Sequence, residues 1–241
     1  MSRDTLFNDA NTEGKPFVFN AHVVEVFPDM IERSVPGYAQ TLTAIGRLAE
    51  RNVQPGSRVY DLGCSLGAAL LAVRHAVADR PVDLVGIDNS AAMLERCSEI
   101  VSRDSATAQV QLLEGDISEA DIADASMVIL NFTLQFVAPE KRNALLTKIY
   151  KGLRPDGILV LSEKIKFEED RVSRAVINLH EDFKRDNGYS ELEISRKRDA
   201  IENVLVPDSI GLLQQRLTDA GFKDHGLWQQ RYNFVSLLGI K

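Results

Sequence analysis

The feature that most constrains the fold is a regular alternation of short apolar runs and amphipathic stretches between residues 57 and 162. The apolar runs are rich in β-branched residues and leucine, and they read RVYDL, VDLVGID, VQLLEG, ASMVILNF and GILVLSE. Between them lie stretches rich in alanine and leucine, such as AALLAVRHAV and PEKRNALLTKIYKGL. Near-continuous apolar strands that alternate with helices are typical of a parallel sheet covered on both faces. We therefore predict a doubly wound α/β domain.

The segments that flank this alternation are predicted to be mostly helical. A short helix around residues 21–31 should end at SVPGY, and a second helix should cover residues 41–51 until QPGS stops it. Residues 164–206 are highly charged and predict two helices around GYSE, because a structureless loop of this length is uncommon in a compact domain. DSIGLLQQRLTDAGF predicts a helix closed by Gly221, and HGLWQQ and RYNFVSLLGI predict a final hairpin.

We expect residues 1–241 to form a single domain. Its N-terminal helical segment (residues 1–53) and its helical insertion (residues 164–206) are predicted to cover the active site.

Composition excludes several classes of protein. The chain has 28 basic and 35 acidic residues, a net charge of −7, which argues against wide contact with nucleic-acid phosphates or anionic membrane but permits a small basic pocket. No apolar run approaches the ~18 residues of a membrane span, and the N-terminus does not resemble a signal peptide. Cys64 and Cys97 are the only cysteines and have no metal-ligand spacing. We therefore expect a cytoplasmic protein without a metal site.

The loop after the first strand, VYDLGCSLG at residues 59–67, could bind a dinucleotide, bind S-adenosylmethionine, or simply turn a strand into a helix. Ligands of open α/β sheets lie at the carboxyl ends of the strands, where this loop falls. Gly63 permits a tight turn and a close ligand approach, and Gly67 lets the helix start near the strand. The dinucleotide fingerprint G-x-G-x-x-G is matched poorly, because the spacing here is G-x-x-x-G with Ser65 between.

Polar residues end the next three strands in an order that suits a nucleoside. Asp88, in VGIDNS, could accept hydrogen bonds from both ribose hydroxyls. Asp116, in EGDI, could accept the adenine amino group while Ile117 packs on its ring, and Asn131 and Phe132 would lie beside the reaction centre. Taken singly, Asp88 or Asp116 could equally cap the segment that follows it. Together, the four strand ends predict a cofactor site.

Few residues near the fourth strand could act as a catalytic base. Its end, NFTLQF, contains no Asp, His or Cys, and the four histidines of the chain have no ligand spacing. We interpret His75 as structural and His180, in INLHEDF, as part of a solvated helix face. Cys64 is assigned a packing role.

Three consecutive basic residues of the insertion, Arg196, Lys197 and Arg198, cannot all face inward on a helix. A solvated basic face is one interpretation. The other is that one guanidinium binds a carboxylate bidentately, which arginine does better than lysine.

DLGCSLG, GIDNS, EGDI and LRPDGILVLSE, in this order, resemble the class I S-adenosylmethionine-dependent methyltransferases at their glycine-rich loop, ribose, adenine and fifth-strand positions. The resemblance covers roughly residues 54–164 and extends through the last two strands. It implies a Rossmann-like, mostly parallel sheet of seven strands whose final strand is antiparallel. Ser65 departs from it, because that family usually has a second glycine there.

A closer resemblance, to the carboxy-S-adenosyl-L-methionine synthases, spans nearly the full chain. It rests on VFPDMIERSVPGY, VYDLGCSLGAA, IDNSAAMLERC, EGDI, ASMVILNFTLQF, LVLSEK, HEDFKRDNGYSELEIS and KRDAIENV. These include N-terminal and insertion segments that ordinary methyltransferases do not share, and Ser65 fits this family's own form of the loop.

This resemblance implies an enzyme that converts S-adenosyl-L-methionine and prephenate to carboxy-S-adenosyl-L-methionine and phenylpyruvate. The deprotonated sulfonium methyl would capture the carbon dioxide that prephenate releases. The product would pass to a tRNA carboxymethyltransferase that makes 5-carboxymethoxyuridine at the wobble position. A small-molecule methyltransferase is the alternative, and a non-catalytic cofactor-binding or tRNA-docking module is a third reading that the net charge of −7 disfavours.

The resemblance also implies a homodimer without direct nucleic-acid or membrane contact. Arg198 is expected to pair with the added carboxylate, in its own or the partner subunit, and Lys164 is a candidate acid or base acting on prephenate. The implied cofactor-binding residues are Tyr38, Gly63, Cys64, Ser65, Asp88, Asn89, Asp116, Ile117, Asn131 and Arg198.

Overall fold

The protein is an open α/β sheet with helices on both faces, which confirms the predicted fold class. The computed structural model describes residues 3–7, 19–77, 80–202 and 204–241. The strands are β1 (Ser57–Leu62), β2 (Val82–Asp88), β3 (Gln109–Glu114), β4 (Ala125–Asn131), β5 (Leu153–Lys164), β6 (Asp224–Arg231) and β7 (Phe234–Ile240). The helices are α1 (Ala21–Ser34), α2 (Tyr38–Asn52), α3 (Ala68–Val77), α4 (Ala91–Arg103), α5 (Pro139–Gly152), α6 (Asp170–Asp186), α7 (Glu191–Glu202) and α8 (Ile210–Ala220).

The seven strands follow the order β3-β2-β1-β4-β5-β7-β6. β1 to β5 pair in parallel, whereas β7 runs antiparallel to both of its neighbours, β5 and β6, as predicted for the final strand. The chain builds outward from β1 to β3 and then crosses back to β4. The carboxyl ends of β1 and β4 therefore form the switch point at which open sheets bind ligands.

The apolar runs are continuous because the strands are buried on both faces. Neighbouring residues of a strand point to opposite faces, and here they join different hydrophobic clusters. Val59 of β1 and Met127 of β4 belong to one cluster, whereas Tyr60 and Val128 belong to the other. The two clusters pack the helices onto the two faces of the sheet.

Local signals explain where the helices begin and end. The side chain of Asn20 accepts hydrogen bonds from the His22 and Val23 amides and so starts α1. This helix runs to Ser34, three residues beyond the predicted end at residue 31. Gly221 closes α8 in the left-handed conformation, with φ 116°, as predicted.

The N-terminal residues are fastened to the insertion by a buried ion pair. Asp4 is almost fully buried, accepts a hydrogen bond from the Tyr189 hydroxyl, and lies 3.5 Å from the Lys197 ammonium. The Arg33 guanidinium of α1 packs 3.9 Å from the centre of the Tyr189 ring. These contacts join residues 3–7, α1 and α7.

The segment between α7 and α8 is held in place by Arg142 of α5, whose side chain is buried. It donates to the carbonyl oxygens of Gln135 (3.2 Å) and Val206 (2.8 Å), and it pairs with Asp208 at 2.9 Å. The loop after β4 and the end of the insertion are thereby held together. Within the ranges that the structure describes, every helix is too short or too polar to cross a membrane.

Candidate active site

A cavity of about 740 Å³ opens at the carboxyl ends of β1, β2 and β4, within the usual size range of small-molecule sites, ~300–1,000 Å³. Its walls come from the strand ends, from α1 and α2, and from the insertion helices α6 and α7. The ten cofactor-binding residues that the family resemblance implied all line this cavity. They are Tyr38, Gly63, Cys64, Ser65, Asp88, Asn89, Asp116, Ile117, Asn131 and Arg198.

The loop after β1 has the backbone that its sequence requires. Gly63 has φ 79°, and a Cβ atom there would lie 2.3 Å from a methyl carbon of Thr133, so only glycine fits. Ser65 is also left-handed, with φ 50°, and its amide donates to Oδ2 of Asp88 at 2.8 Å. This bond ties the loop to the end of β2 and offsets the cost of a left-handed serine, ~1–2 kcal/mol.

Cys64 of the same loop is buried in packing contacts. The adjoining Cys97 thiol and burial both raise the pKa of Cys64, so the thiol stays protonated and is a poor nucleophile. A packing role is what the sequence predicted for it.

Asp88 is held at the cavity by the turn that follows β2. Its carboxylate accepts from the amides of Ser65 and Ser90, and burial raises the pKa of Asp88. The residue that caps α4 is Ser90, whose hydroxyl accepts from the Met93 amide at 3.3 Å. The carboxylate of Asp88 therefore retains lone pairs for a ligand.

Asp116 does cap the segment that follows it, which was one of the two interpretations. Its Oδ1 accepts from the Ser118 amide at 2.8 Å, and this hydrogen bond lowers the pKa of Asp116. Oδ2 lies 3.8 Å from the Lys141 ammonium at the mouth of the cavity. Ile117 beside it is buried and presents an apolar surface to the cavity.

Two buried oxygens at the switch point have no hydrogen-bond partner in the described part of the chain. They are Oδ2 of Asp61, at the end of β1, and Oδ1 of Asn131, at the end of β4. Both residues line the cavity, and burial raises the pKa of Asp61 to about 7. Buried acceptors without donors are costly, so this edge suits a ligand that brings hydrogen-bond donors and positive charge. S-adenosylmethionine, with its ammonium, ribose hydroxyls and sulfonium, fits these groups.

The opposite wall is formed by one face of α6. Ile177, His180, Glu181 and Lys184 all line the cavity, and their spacing of three, four and seven residues places them on the same side of a helix. Lys184 is 9% exposed. Burial, together with the charges of Lys164 and Lys197, lowers the pKa of Lys184 to about 7.

The similarity of this chain to known proteins extends over nearly its full length. A family model described as a methyltransferase domain matches residues 59–157. The carboxy-S-adenosyl-L-methionine synthase of Aliivibrio fischeri (strain MJ11) is 54% identical over 238 residues, which cover 99% of this chain and 98% of the relative. The synthases of the same name from Photobacterium profundum and Escherichia coli (strain K12) are 56% and 53% identical, each over 99% of this chain and 98% and 97% of the relative.

The chain belongs to the carboxy-S-adenosyl-L-methionine synthase family. This confirms the closer of the two resemblances drawn from the sequence.

Solved structures show that this member of the synthase family has the methyltransferase fold. Human N-acetylserotonin methyltransferase, solved in complex with S-adenosylmethionine, superposes with a TM-score of 0.60 at 16% identity, covering 92% of this chain and 55% of that one. The cyclopropane synthase MmaA2 from Mycobacterium tuberculosis superposes with a TM-score of 0.57 at 15% identity, covering 78% and 62%. At these identities the likeness concerns the fold alone.

The three consecutive basic residues of this synthase-family chain have different surroundings. Arg198 is half-exposed at the rim of the cavity of its own chain, and it donates to Glu181 at 2.8 Å. Lys197 is buried and donates to the Ser34 hydroxyl at 2.8 Å. Arg196 donates to the carbonyl oxygen of Phe7 at 3.1 Å. A solvated basic face was therefore the wrong interpretation for Lys197, whereas the Arg198 side chain is exposed to solvent.

The prediction that His180 lies on a solvated helix face is also wrong. The side chain is buried, its Nε2 donates to the carbonyl oxygen of Ser34 at 2.8 Å, and its ring packs 4.9 Å from that of Phe234. Burial lowers the pKa of His180 to about 3, so it is neutral. The reason is that α6 turns this face towards α1 and β7, which the charged sequence around His180 does not reveal.

His75 lies outside the cavity and forms a surface contact. Its Nε2 is 2.7 Å from Asp104, whose other oxygen binds Arg74 at 3.1 Å. The structural role that the sequence suggested for His75 agrees with this position.

Sequence reasoning missed Lys184 as a site residue. It placed Asp61 at the end of the first strand, where ligands bind, but did not include it among the cofactor-binding residues. For Lys184 the available signal was the helical spacing of residues 177, 180, 181 and 184 within an otherwise charged segment.

Proposed function

We propose that this enzyme carboxylates the sulfonium methyl group of S-adenosyl-L-methionine with the carbon dioxide released by prephenate. The products are carboxy-S-adenosyl-L-methionine, phenylpyruvate and water. The observation that carries the proposal is that one cavity joins an acidic strand edge, suited to a cationic cofactor, to a cluster of cations, suited to an anionic second substrate. Membership of the synthase family supports the same activity.

The acidic edge holds the cofactor in this proposal. Asp88 accepts the ribose hydroxyls, while Asp116 and Ile117 receive the adenine base. Asp61 and Asn131 accept hydrogen bonds from the donor groups at the amino-acid end, which supplies the partners that their buried oxygens lack.

The reaction balances without an added nucleophile. Prephenate loses one carboxylate as carbon dioxide together with its ring hydroxyl as hydroxide, and its ring becomes aromatic. The methyl group of the cofactor loses one proton, which forms water with that hydroxide, and gains the carbon dioxide as a carboxylate. The new negative charge is what the protein must stabilise, and the guanidinium of Arg198 is the group that we assign to it.

To bind the new carboxylate, Arg198 must first release the carboxylate of Glu181. Its guanidinium binds Glu181 at 2.8 Å, and a bound carboxylate would compete with Glu181 for it. Because Arg198 is half-exposed, it could also serve the site of a second subunit. A homodimer of this chain in the cytoplasm, with its product passed to a tRNA carboxymethyltransferase, completes the proposal. The predicted cover of residues 1–53 and 164–206 includes positions 1–2, 8–18 and 203, which lie outside the described residues; the described parts of both segments would cover the active site.

The test is to incubate the purified protein with S-adenosylmethionine and prephenate and to analyse the products by mass spectrometry. We expect phenylpyruvate and a cofactor heavier by one carboxylate. S-adenosylhomocysteine as the product would instead indicate the alternative, a small-molecule methyltransferase. Normal cofactor binding with neither product would contradict both.

The role of Arg198 is tested by Arg198→Ala, with Arg174→Ala on the exposed side of α6 as the control. Loss of a charge-assisted bidentate pair, worth about 2–3 kcal/mol, should weaken binding of carboxy-S-adenosylmethionine about 30- to 150-fold and leave S-adenosylmethionine nearly unaffected. Calorimetry with each compound measures both. Equal losses for the two compounds would show that Arg198 has another role.

A further inference from the structure

Two lysines at the basic end of the cavity have no assigned partner. Lys164 ends β5 and Lys184 lies on α6, and both line the cavity. Within the residues that the structure describes, neither ammonium group makes a hydrogen bond or an ion pair. Lys197, the third lysine of this end, differs because it is bonded to Ser34 and paired with Asp4.

The surroundings of these two lysines leave positive charge uncompensated. The carboxylate whose charge acts on both lysines is that of Glu181, and it already binds Arg198 at 2.8 Å and Arg185 at 3.6 Å. Lys184 is buried and Lys164 is partly buried, so an ammonium group without a counter-charge is costly at either position, and the two groups also repel each other. Burial lowers the pKa of both Lys164 and Lys184, as expected for cations that lack an anion. This end of the cavity is therefore suited to an anion.

The position of the lysines fits a second substrate that lies beside the cofactor. A series of ring contacts leads from Tyr38 through Phe132 (6.4 Å between centres) and Phe234 (5.9 Å) to His180 (4.9 Å). Lys164 is paired with Phe234 across β5 and β7. An aromatic surface therefore connects the strand-end residues to the part of the cavity that contains the lysines. The ring of an aromatic acid can pack against this surface.

The chemistry of prephenate decides which of its two carboxylates belongs here. The ring carboxylate leaves as carbon dioxide, so its charge disappears in the transition state. A cation bound to it would stabilise the ground state more than the transition state and slow the reaction. The side-chain carboxylate, next to a keto group, keeps its charge from substrate to product.

We infer that Lys164 and Lys184 bind the α-keto carboxylate of the second substrate, and so also bind the phenylpyruvate that is left. Arg198 is separate and takes the carboxylate gained by the cofactor. This inference rests on the proposed function. It adds an anion subsite on the far side of the cavity from the acidic edge.

The first measurement is binding of phenylpyruvate to the cofactor-loaded protein by calorimetry. Lys184→Met and Lys164→Met should each weaken it at least tenfold, while affinity for S-adenosylmethionine changes less than twofold. Lys223→Met, which removes an exposed lysine, is the control and should change neither. Lys184→Arg should retain most of the binding, because the charge is kept.

Kinetics separate this role from one in catalysis. Because the α-keto carboxylate keeps its charge throughout, Lys184→Met should raise the KM for prephenate at least tenfold and change kcat much less. The same variant should raise the melting temperature of the ligand-free protein, because it removes an unpaired buried charge. A purely structural lysine would lower it.

Three results would overturn the inference: unchanged phenylpyruvate binding in both variants, no phenylpyruvate binding by the wild-type protein, or a fall in kcat at unchanged KM. The product assay on the wild-type protein tests the proposed function independently. If the wild type makes carboxy-S-adenosylmethionine and the variants still bind phenylpyruvate, only the inference falls. If the wild type makes none but the lysine variants lose phenylpyruvate binding, the subsite stands and the proposed reaction falls.

Discussion

The two ends of the cavity carry opposite charge and are built in different ways. The acidic edge (Asp61, Asp88 and Asp116) consists of residues that end or directly follow successive strands of the sheet. The basic end (Lys164, Lys184 and Arg198) comes from a strand end and two helices of the insertion. A cationic cofactor and an anionic substrate are thereby directed to different places in one site.

The two ends also differ in how their charges are satisfied. Asp88 accepts hydrogen bonds from the backbone amides of Ser65 and Ser90, and Asp116 accepts one from that of Ser118, so loop amides fix both carboxylates. Lys184 has no such local support, and its position depends on the packing of α6 against the rest of the fold. The comparison suggests that the acidic edge is preformed, whereas the basic end is completed by the substrate.

The largest effect that distinguishes the two ends is expected for Asp88→Ala. Loss of two charge-assisted hydrogen bonds to ribose, ~2 kcal/mol each, should weaken S-adenosylmethionine binding about 10³-fold, as measured by calorimetry. Asp83→Ala, at an exposed position of the same strand, is the matched control and should leave the affinity unchanged. A loss below about tenfold would mean that Asp88 only supports the loop around Ser65.

A smaller effect should separate the paired lysine from the unpaired one. Lys197→Met leaves the carboxylate of Asp4 buried without its cation and should lower the free energy of unfolding by about 3 kcal/mol. Lys184→Met should instead raise the free energy of unfolding, because it removes an ammonium group that has no partner. Chemical denaturation of both variants at pH 7 measures the two changes, and a loss of stability in both would remove the distinction.

The smallest effect concerns the pH dependence of the acidic edge. Burial raises the pKa of Asp61 to about 7 in the folded protein, whereas it is ~3.8 in the unfolded chain. Between these two pH values the ligand-free folded protein holds a proton on Asp61 that the unfolded chain has released. The stability contributed by this proton is therefore present at low pH and is lost as pH rises through about 4 to 7. A cationic ligand favours the ionised form, so S-adenosylmethionine should bind up to about tenfold more tightly at pH 8 than at pH 6.

Asp61→Asn is the control for this pH dependence, because the ligand and the neighbouring carboxyl of Asp88, whose pKa is also raised by burial, can titrate as well. Tyr38 and Cys64 also lie near Asp61, but their pKa values are raised, so both side chains stay protonated between pH 6 and 8. The difference between the calorimetric pH profiles of wild type and variant isolates Asp61. Parallel profiles would show that Asp61 stays in one protonation state.

The sequence by itself determined the sheet and the acidic edge. Apolar runs made the strands visible, and the carboxyl ends of parallel strands meet at one edge of a sheet, so Gly63, Asp88, Asp116 and Asn131 could be brought together without coordinates. Helix bounds were less certain: α1 runs past Pro28 to Ser34, because helix ends depend on contacts as well as on local signals.

Only the tertiary structure placed Lys184 at the basic end and brought it into one cavity with Lys164 and Arg198. The spacing of residues 177, 180, 181 and 184 predicts one helix face, but a face with His180, Glu181 and Lys184 could equally point to solvent. It is buried because α6 packs against α1 and β7, and contacts such as that of His180 with Ser34 join residues 146 positions apart. Strand ends are placed by a repeating local pattern, whereas the direction of a charged helix face is set by distant parts of the chain.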